Sequence, residues 1–294
     1  MRTDAACLNC FKRQAAATAR LCCAEAAVRR RVTDEISRLV AELDPALSPP
    51  ENAVMVYGRI AEVTGVRDPY AGLKKQSTDF ALRLRDEVRQ RIEQSPDPLQ
   101  TAVRYCIAAN IIDYGSSHAF DALETLRGCQ SARLPIDDFD RFRRGVSRAR
   151  VVFLADNCGE LVFDGLLVEQ LVRRGCDVTM AVRGGSILND ATMEDAVECG
   201  LDSLCRIVSS GVSCPGTPLA SCSRELVEIF AGADLVISKG QGNFETLSET
   251  AAPVAFLLTV KCPVVARHIT AMRGPAGEGI TGAGEMILMQ MGVE

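Results

Sequence analysis

A chain of 294 residues has room for one large domain or two modest ones. With 47% apolar and 24% charged residues, a net charge of −5 and a sequence pI near 5.3, it is globular in composition and lacks the basic footprint of a nucleic-acid binder. Aromatics at 5% with no Trp disfavour base stacking, and no apolar run approaches the roughly 18 residues of a membrane span.

The N-terminus, MRTDAACLNCFKRQ, has no apolar h-region, so no secretory signal is expected. The thirteen cysteines then read as thiols in a reducing cytoplasm rather than a disulfide framework. Residues 5–24 form an Ala- and Cys-rich helical segment, and 32–43 carry a helical face at Ile36, Leu39, Val40 and Leu43. Pro45, Pro49 and Pro50 break the pattern, and 51–63 resume it after a proline-led start. Asp68-Pro69-Tyr70 opens a helix that runs to Ile92. After the turn Ser95-Pro96-Asp97-Pro98, the apolar stretch 99–112 reads as central to a core. Two weaker helices follow before Arg148, and the first half offers no convincing strand.

Near residue 149 the character changes. Strand 151–155 leads to helix 160–174, strand 177–182 to helix 191–199, and strand 205–209 through a long loop to helix 223–231. Strand 234–238, a helix near 245–250 and strand 254–260 complete the alternation. The Gly-rich tail from Met272 and its apolar segment 285–291 receive no assignment. The expectation is an α/β protein: a helical domain over 1–148, then a doubly wound parallel sheet over 149–294.

The first strand is apolar throughout, as in a sheet buried on both faces, and runs into Asp156, Asn157, Cys158, Gly159 and Glu160. In open α/β sheets the crevice outside the carboxyl ends of the strands binds ligands. Polar residues recur at the later strand ends: Arg183-Gly184-Gly185-Ser186, then Asn189, Asp190, Thr192 and Asp195, then Lys239 to Glu245, then Lys261-Cys262. Asp190 or Thr192 also reads as a helix cap, and either lysine alone as a surface residue. Taken jointly, two acids and an amide offer hard oxygens to a cation such as Mg²⁺ or Mn²⁺, and two lysines offset phosphate charge. Together they describe a metal-assisted phosphoryl site.

Other chemistries lack their residues. G-x-G-x-x-G is absent after the first strand, as are G-x-x-x-x-G-K-[ST] and G-x-S-x-G. His118 and His268 are too few for a histidine-rich metal site and read as structural or surface residues. Cys7-x-x-Cys10, with Cys22-Cys23 further on, has metal or redox spacing and equally suits small side chains in helix packing. Cys158 reads as a bystander.

With these residues in hand, the chain resembles the metal-dependent damage-control phosphatases, formerly a domain of unknown function and named after acidic-residue methyltransferase-like proteins. The matching motifs are DNCGELVFD (156–164), LNDATMEDA (188–196), ADLVISKGQGNFETL (233–247) and LLTVKC (257–262), with weaker matches at CLNC, DPYAGLK (68–74) and AANIIDYG (108–115). The N-terminal CxxC is similar to that of the prokaryotic branch. The resemblance implies a helical domain joined to a Rossmann-like one, and hydrolysis of phosphomonoesters of sugars or damaged phosphometabolites. It also implies a divalent metal (Mn²⁺, Ni²⁺, Co²⁺ or Mg²⁺) on Asp156, Asn157 and Asp190. Lys239, Gly240, Asn243 and Lys261 would face phosphate or sugar, with Glu245 of the same motif counted among the substrate-binding residues. Asn110 and Asp113 would line the cleft, and Glu160 would orient a water or a substrate hydroxyl.

Attack by water, with Lys239 and Lys261 offsetting phosphoryl charge, is the preferred mechanism. A covalent phosphoryl group on Asp156 is the second, although the D-x-D-x-T pattern is missing because position 158 is Cys. The expected partner is a small-molecule phosphate ester, with no nucleic acid and no membrane; oligomeric state is left open. A non-catalytic phosphometabolite sensor, and a thiol-redox or metal-relay protein centred on Cys7 and Cys10, stand as alternatives.

Overall fold

The computed structural model describes residues 1–110, 126 and 128–292. A six-stranded sheet organises the second half: β1 Arg150–Leu154, β2 Asp177–Val182, β3 Arg206–Ser209, β4 Leu235–Lys239, β5 Val254–Val260 and β6 Glu285–Met291. Their order is β3-β2-β1-β4-β5-β6. The first five strands run parallel, with Val152 of β1 opposite Thr179 on one side and Val236 on the other. The tail segment left unassigned from sequence is the sixth strand, pairing antiparallel with β5 from Val254↔Met291 to Val260↔Glu285. Strand order reverses between β1 and β4, so the two chains leaving their carboxyl ends flank a crevice.

Strand alternation divides the sheet between two helical layers. Val151 and Phe153 of β1 share one core with α4 (Ala71–Glu93), α5 (Pro98–Ala108), α6 (Phe139–Gly145) and α7 (Leu161–Arg173). Val152 and Leu154 face the other core, filled by Leu226 and Phe230 of α9 (Arg224–Ala231), Phe244 of α10 (Gly240–Leu247) and Ile269 of α11 (Pro263–Arg273). The short α8 (Met193–Glu198) follows β2. A third cluster joins α1 (Ala5–Cys22), α2 (Ala26–Leu39) and α3 (Pro49–Thr64) through Phe11, Ile36, Val56 and Ile60, and reaches Ile187 beyond β2. The cores therefore follow a different line from the chain-order division into 1–148 and 149–294. Helices α4 and α5 belong to the sheet's own layer, while α1 to α3 form a separate bundle.

Local signals explain the element ends. Ser48 and Glu51 form a reciprocal capping box, with Pro49 next to it, and Gly65 closes α3 at φ 71°. Helix α10 begins at Gly240, earlier than the expected 245–250, because it springs directly from the end of β4. Among the described residues no helix is long and apolar enough to cross a membrane.

Candidate active site

Two backbone hydrogen bonds clamp the chain after β1 to the chain after β2. Ala191 N–H donates to Asp156 O at 2.8 Å, and Cys158 N–H donates to Asn189 O at 2.9 Å. Between them Asn157 and Asp190 form an isolated antiparallel bridge. This brings together the three residues expected to share a cation: Asp156, Asn157 and Asp190, all buried. The turn that presents Asp190 is tight, with its N–H on Ile187 O at 3.1 Å and Leu188 in the left-handed region at φ 49°. Capping falls to Thr192 and Asp195, which form a capping box on α8, and Asp190 is left to the site.

The Asn157 amide is oriented by charge. Its Nδ2 donates to Glu160 Oε1 at 2.8 Å and to Asp156 Oδ2 at 3.2 Å. Only the NH₂ end can face two carboxylates, so the amide oxygen is turned the other way. Glu160 is itself fully buried and saturated: Asn110 Nδ2 donates to Oε1, and Lys239 Nζ donates to Oε2 at 2.6 Å. The expectation that Glu160 touches water or a substrate hydroxyl is corrected by this enclosure. It positions Asn157 and ties in Asn110 from the end of α5. Asp113 lies outside the described residues, as does His118.

Lys239 also departs from expectation. Its ammonium, 1% exposed, bridges Glu160 Oε2 and Asp164 Oδ1, each at 2.6 Å. It therefore supports the site from behind instead of meeting phosphoryl oxygens, because two buried carboxylates, Glu160 at the N-cap of α7 and Asp164 in its first turn, claim it. Cys106 Sγ donates to the same Asp164 oxygen at 3.1 Å. Burial, only partly offset by Lys239, pushes the Asp164 carboxyl up to about 6. Burial acts on Glu160 too, but the Lys239 charge prevails and holds its carboxyl below the usual range.

Arg183, at the end of β2, is the positive centre on the opposite side. Its Nε donates to Asp190 Oδ2 at 2.7 Å, and Nη2 lies 3.7 Å from Asp156 Oδ1. Asp156 is raised well above the ordinary carboxyl range by burial and by the neighbouring Asp190 and Glu160 charges, which outweigh Arg183. Asp190 is raised as well, by burial, against the pull of Arg183 and Lys74. Two carboxylates with excess negative charge and an amide oxygen suit a divalent cation. Among the described residues no group of three or more His, Cys, Asp or Glu side chains is placed to hold a metal, so a cation here would rest on this mixed set.

Asn243 was expected to face the ligand, and the structure corrects this. It is fully buried, donating to Ala155 O at 3.0 Å and Lys239 O at 2.8 Å, and accepting from Thr217 and Arg183. It latches β1, β4 and Arg183 together. Gly240 packs on the site itself, since a Cβ there would stand 1.9 Å from Asp156 Oδ2. Lys261 is exposed, and its charge draws down the carboxyls of both Asp156 and Glu160. Glu245 is buried beside Gln241, which donates to it at 2.8 Å, and burial raises its carboxyl to about 7.

Sequence reasoning missed Arg183, Asp164 and Lys74 as site residues. Lys74, the last residue of DPYAGLK, is buried with Nζ 2.6 Å from Asp195 Oδ2. Cys7 and Cys10 are half-buried on α1, and burial raises both thiols, Cys7 to about 11. His268 packs edge-on against Phe244 and shares a hydrogen bond with Ser248. A cavity of about 190 Å³ opens beside the turn that carries Asp190, with Tyr57, Arg67, Tyr70, Ser186 and Leu188 in its walls.

The profile of the damage-control phosphatase ARMT1-like domain matches residues 3–276. The chain is 32% identical over 279 residues to damage-control phosphatase PH1575 of Pyrococcus horikoshii, covering 93% of this chain and 96% of that protein. It is 33% identical over 278 residues to a damage-control phosphatase of Archaeoglobus fulgidus, covering 92% and 96%. A crystal structure of a DUF89 family protein from Pyrococcus horikoshii matches with a TM-score of 0.88 at 30% identity, covering 99% of each chain.

Proposed function

The chain belongs to the damage-control phosphatase ARMT1-like family, and from that premise we propose a metal-dependent phosphomonoesterase acting on small metabolites, sugar phosphates or damaged phosphometabolites among them. Membership makes it a phosphatase and hence a hydrolase. The observation that carries the finer reading is the backbone bridge that joins Asn157 to Asp190 beside Asp156, at the end of β1, one of the two strands between which strand order reverses. Asp156, Asn157 and Asp190 would hold Mn²⁺, Ni²⁺, Co²⁺ or Mg²⁺. When bound, the cation supplies charge neutralisation for the phosphoryl oxygens.

The chain's own groups do the rest. Lys261, at the mouth, adds positive potential where phosphate enters. Glu160, held by Lys239 and Asn110, fixes the Asn157 amide. The small cavity beside Asp190 suits the organic part of a metabolite-sized ester. Water attacks phosphorus, the ester P–O bond breaks, and alcohol and inorganic phosphate leave. Transfer to Asp156 is the less favoured route. Its Oδ2 accepts from Asn157 and abuts Gly240, while Oδ1 faces Arg183. All thirteen cysteines are free thiols, which fits the reducing cytoplasm we propose for the protein.

A screen of divalent metals against phosphate esters tests the proposal, with Asp156→Ala and Asp190→Asn as controls. Metal-stimulated phosphate release is expected in the wild type, and a loss of at least about a hundredfold in each variant. Full turnover by both variants on the best substrate would sink the metal assignment. Tight binding of a phosphorylated metabolite without turnover on any ester would favour a sensor.

A further inference from the structure

We propose that Arg183 sets the cation selectivity of the Asp156–Asn157–Asp190 site: by occupying one oxygen of Asp190 it confines that carboxylate to single-oxygen ligation and favours small octahedral cations over Ca²⁺. The inference rests on the reading that these three residues hold a metal. Its ground is the hydrogen bond from Arg183 Nε to Asp190 Oδ2 at 2.7 Å, between side chains only 2% and 3% exposed. An Asp190 whose Oδ2 carries this hydrogen bond offers a cation Oδ1 as its unencumbered oxygen, and bidentate ligation would have to share Oδ2 with the guanidinium.

The engagement is rigid. Arg183 Nη1 donates to Gly216 O at 3.0 Å, Asn243 Oδ1 at 3.0 Å and Thr217 Oγ1 at 3.3 Å. These acceptors come from the loop after β3 and from α10. Thr217 itself donates to Asn243 Oδ1 at 2.7 Å, and Asn243 donates to the main chain of Ala155 and Lys239. A guanidinium anchored on two separate segments cannot swing away to release Oδ2. Its planar fork, with donors at fixed angles, is what a lysine would not reproduce.

Coordination chemistry turns this constraint into selectivity. Ca²⁺ takes about 6–8 oxygens at roughly 2.3–2.6 Å and commonly recruits bidentate carboxylates, whereas Mg²⁺ wants about six at roughly 2.0–2.1 Å with only one or two carboxylates and waters. Mn²⁺ shares the octahedral oxygen preference. A site with two carboxylates, the Oδ2 of Asp190 held by Arg183 and that of Asp156 accepting from Asn157, falls short of the free oxygens that Ca²⁺ recruits. The Arg183 charge, 3.7 Å from Asp156 as well, repels every divalent cation alike. The ratio of affinities, rather than any single affinity, therefore reports the geometric effect.

The experiment is calorimetric titration of chelator-stripped protein with Mn²⁺, Mg²⁺ and Ca²⁺ separately, for wild type, Arg183→Gln and Thr217→Val. The wild type is expected to bind Mn²⁺ and Mg²⁺ in preference to Ca²⁺. In Arg183→Gln the Mn²⁺-to-Ca²⁺ affinity ratio is expected to fall about tenfold, the lower end of the usual effect of removing a residue that orients a metal ligand. Thr217→Val keeps the guanidinium but loosens its anchor, and is expected to lower the ratio about threefold in the same direction. Equal shifts of both constants in Arg183→Gln, or no shift, would overturn the proposal, as would a wild type without preference over Ca²⁺. If Arg183→Gln does not fold, an unchanged ratio in Thr217→Val overturns it. Failure of the wild type to bind any of the three cations would instead overturn the underlying metal reading.

Discussion

Gly240 shows how narrowly single residues define this site. Its φ of 75° is left-handed, and a Cβ would stand 1.9 Å from Asp156 Oδ2 and 2.2 Å from its Cγ. Gly240→Ala therefore adds backbone strain of about 1–2 kcal/mol and displaces the Asp156 carboxylate. Urea unfolding is expected to register that loss of stability, and steady-state assays a fall in turnover of about tenfold or more. A variant with unchanged stability and turnover would mean that Asp156 is not seated against Gly240. Asp156 and Asn157 stood out in the sequence because oxygen-bearing residues directly after an apolar strand have few structural reasons to be there, whereas Asp190, well beyond the end of β2, stood out only when taken jointly with them. Arg183 stood among the polar residues at the strand ends without a role, because nothing local in Arg-Gly-Gly-Ser reports that its guanidinium folds back to Asp190. Asp164 did leave a signal. It is the one acid in the apolar run Leu161-Val-Phe-Asp-Gly-Leu-Leu-Val, four residues after Glu160, and a carboxylate on that buried face requires a buried cation.

Lys239 joins elements rather than merely residues: it ends β4 and holds the carboxylates of Glu160, at the N-cap of α7, and Asp164, in its first turn. Lys239→Met would leave Glu160 and Asp164 buried without their cation, at a cost of about 3–5 kcal/mol. Asp164→Asn in the same chain removes one of the two stranded charges, so the double variant is expected to be less destabilised than the sum of the singles. Urea unfolding of the four proteins measures this. A Lys239→Met cost under about 1 kcal/mol would restore Lys239 to the role of a phosphate contact. Strands β1 to β5 and helix α7 were readable because unbroken apolar runs and a helical stripe are local properties. The β6 segment was as apolar as the others, but its antiparallel pairing with β5 depends on a Gly-rich excursion that carries no periodicity. Helix α10 was misplaced because Gly240 and Gly242 disguise a helix that packing enforces. Gly242 is needed there, since a Cβ would stand 1.8 Å from Pro215 O. The stripes of α4 and α5 announced helices without saying which core would receive them.

Across the whole molecule, burial has enclosed more acid than base near the sheet's carboxyl edge. Asp156, Glu160, Asp164 and Asp190 are buried there, with Arg183, Lys239 and Lys74 as buried cations. Glu245 adds a further buried carboxyl on α10, whose hydrogen-bond partner is the neutral Gln241 amide. An acid raised in the fold binds its proton more tightly folded than unfolded, so stability falls as pH rises between the two values. For Glu245 the window runs from the ordinary 4.5 to about 7. Below it the acid is neutral in both states and costs nothing; above it the folded protein holds a poorly solvated charge. Asp164 acts in the same sense from 3.8 to about 6. Glu245→Gln mimics the neutral acid at every pH and keeps an acceptor for Gln241. The variant is expected to match the wild type in Tm at pH 4, to gain progressively through the window, and to be the more stable protein at pH 8. Thermal melts of both proteins across that range decide the matter. A variant less stable than wild type at pH 8 would mean that Glu245 is an ionised, stabilising partner in the fold, and the buried acid would then be balanced locally rather than left to a bound cation and to protons.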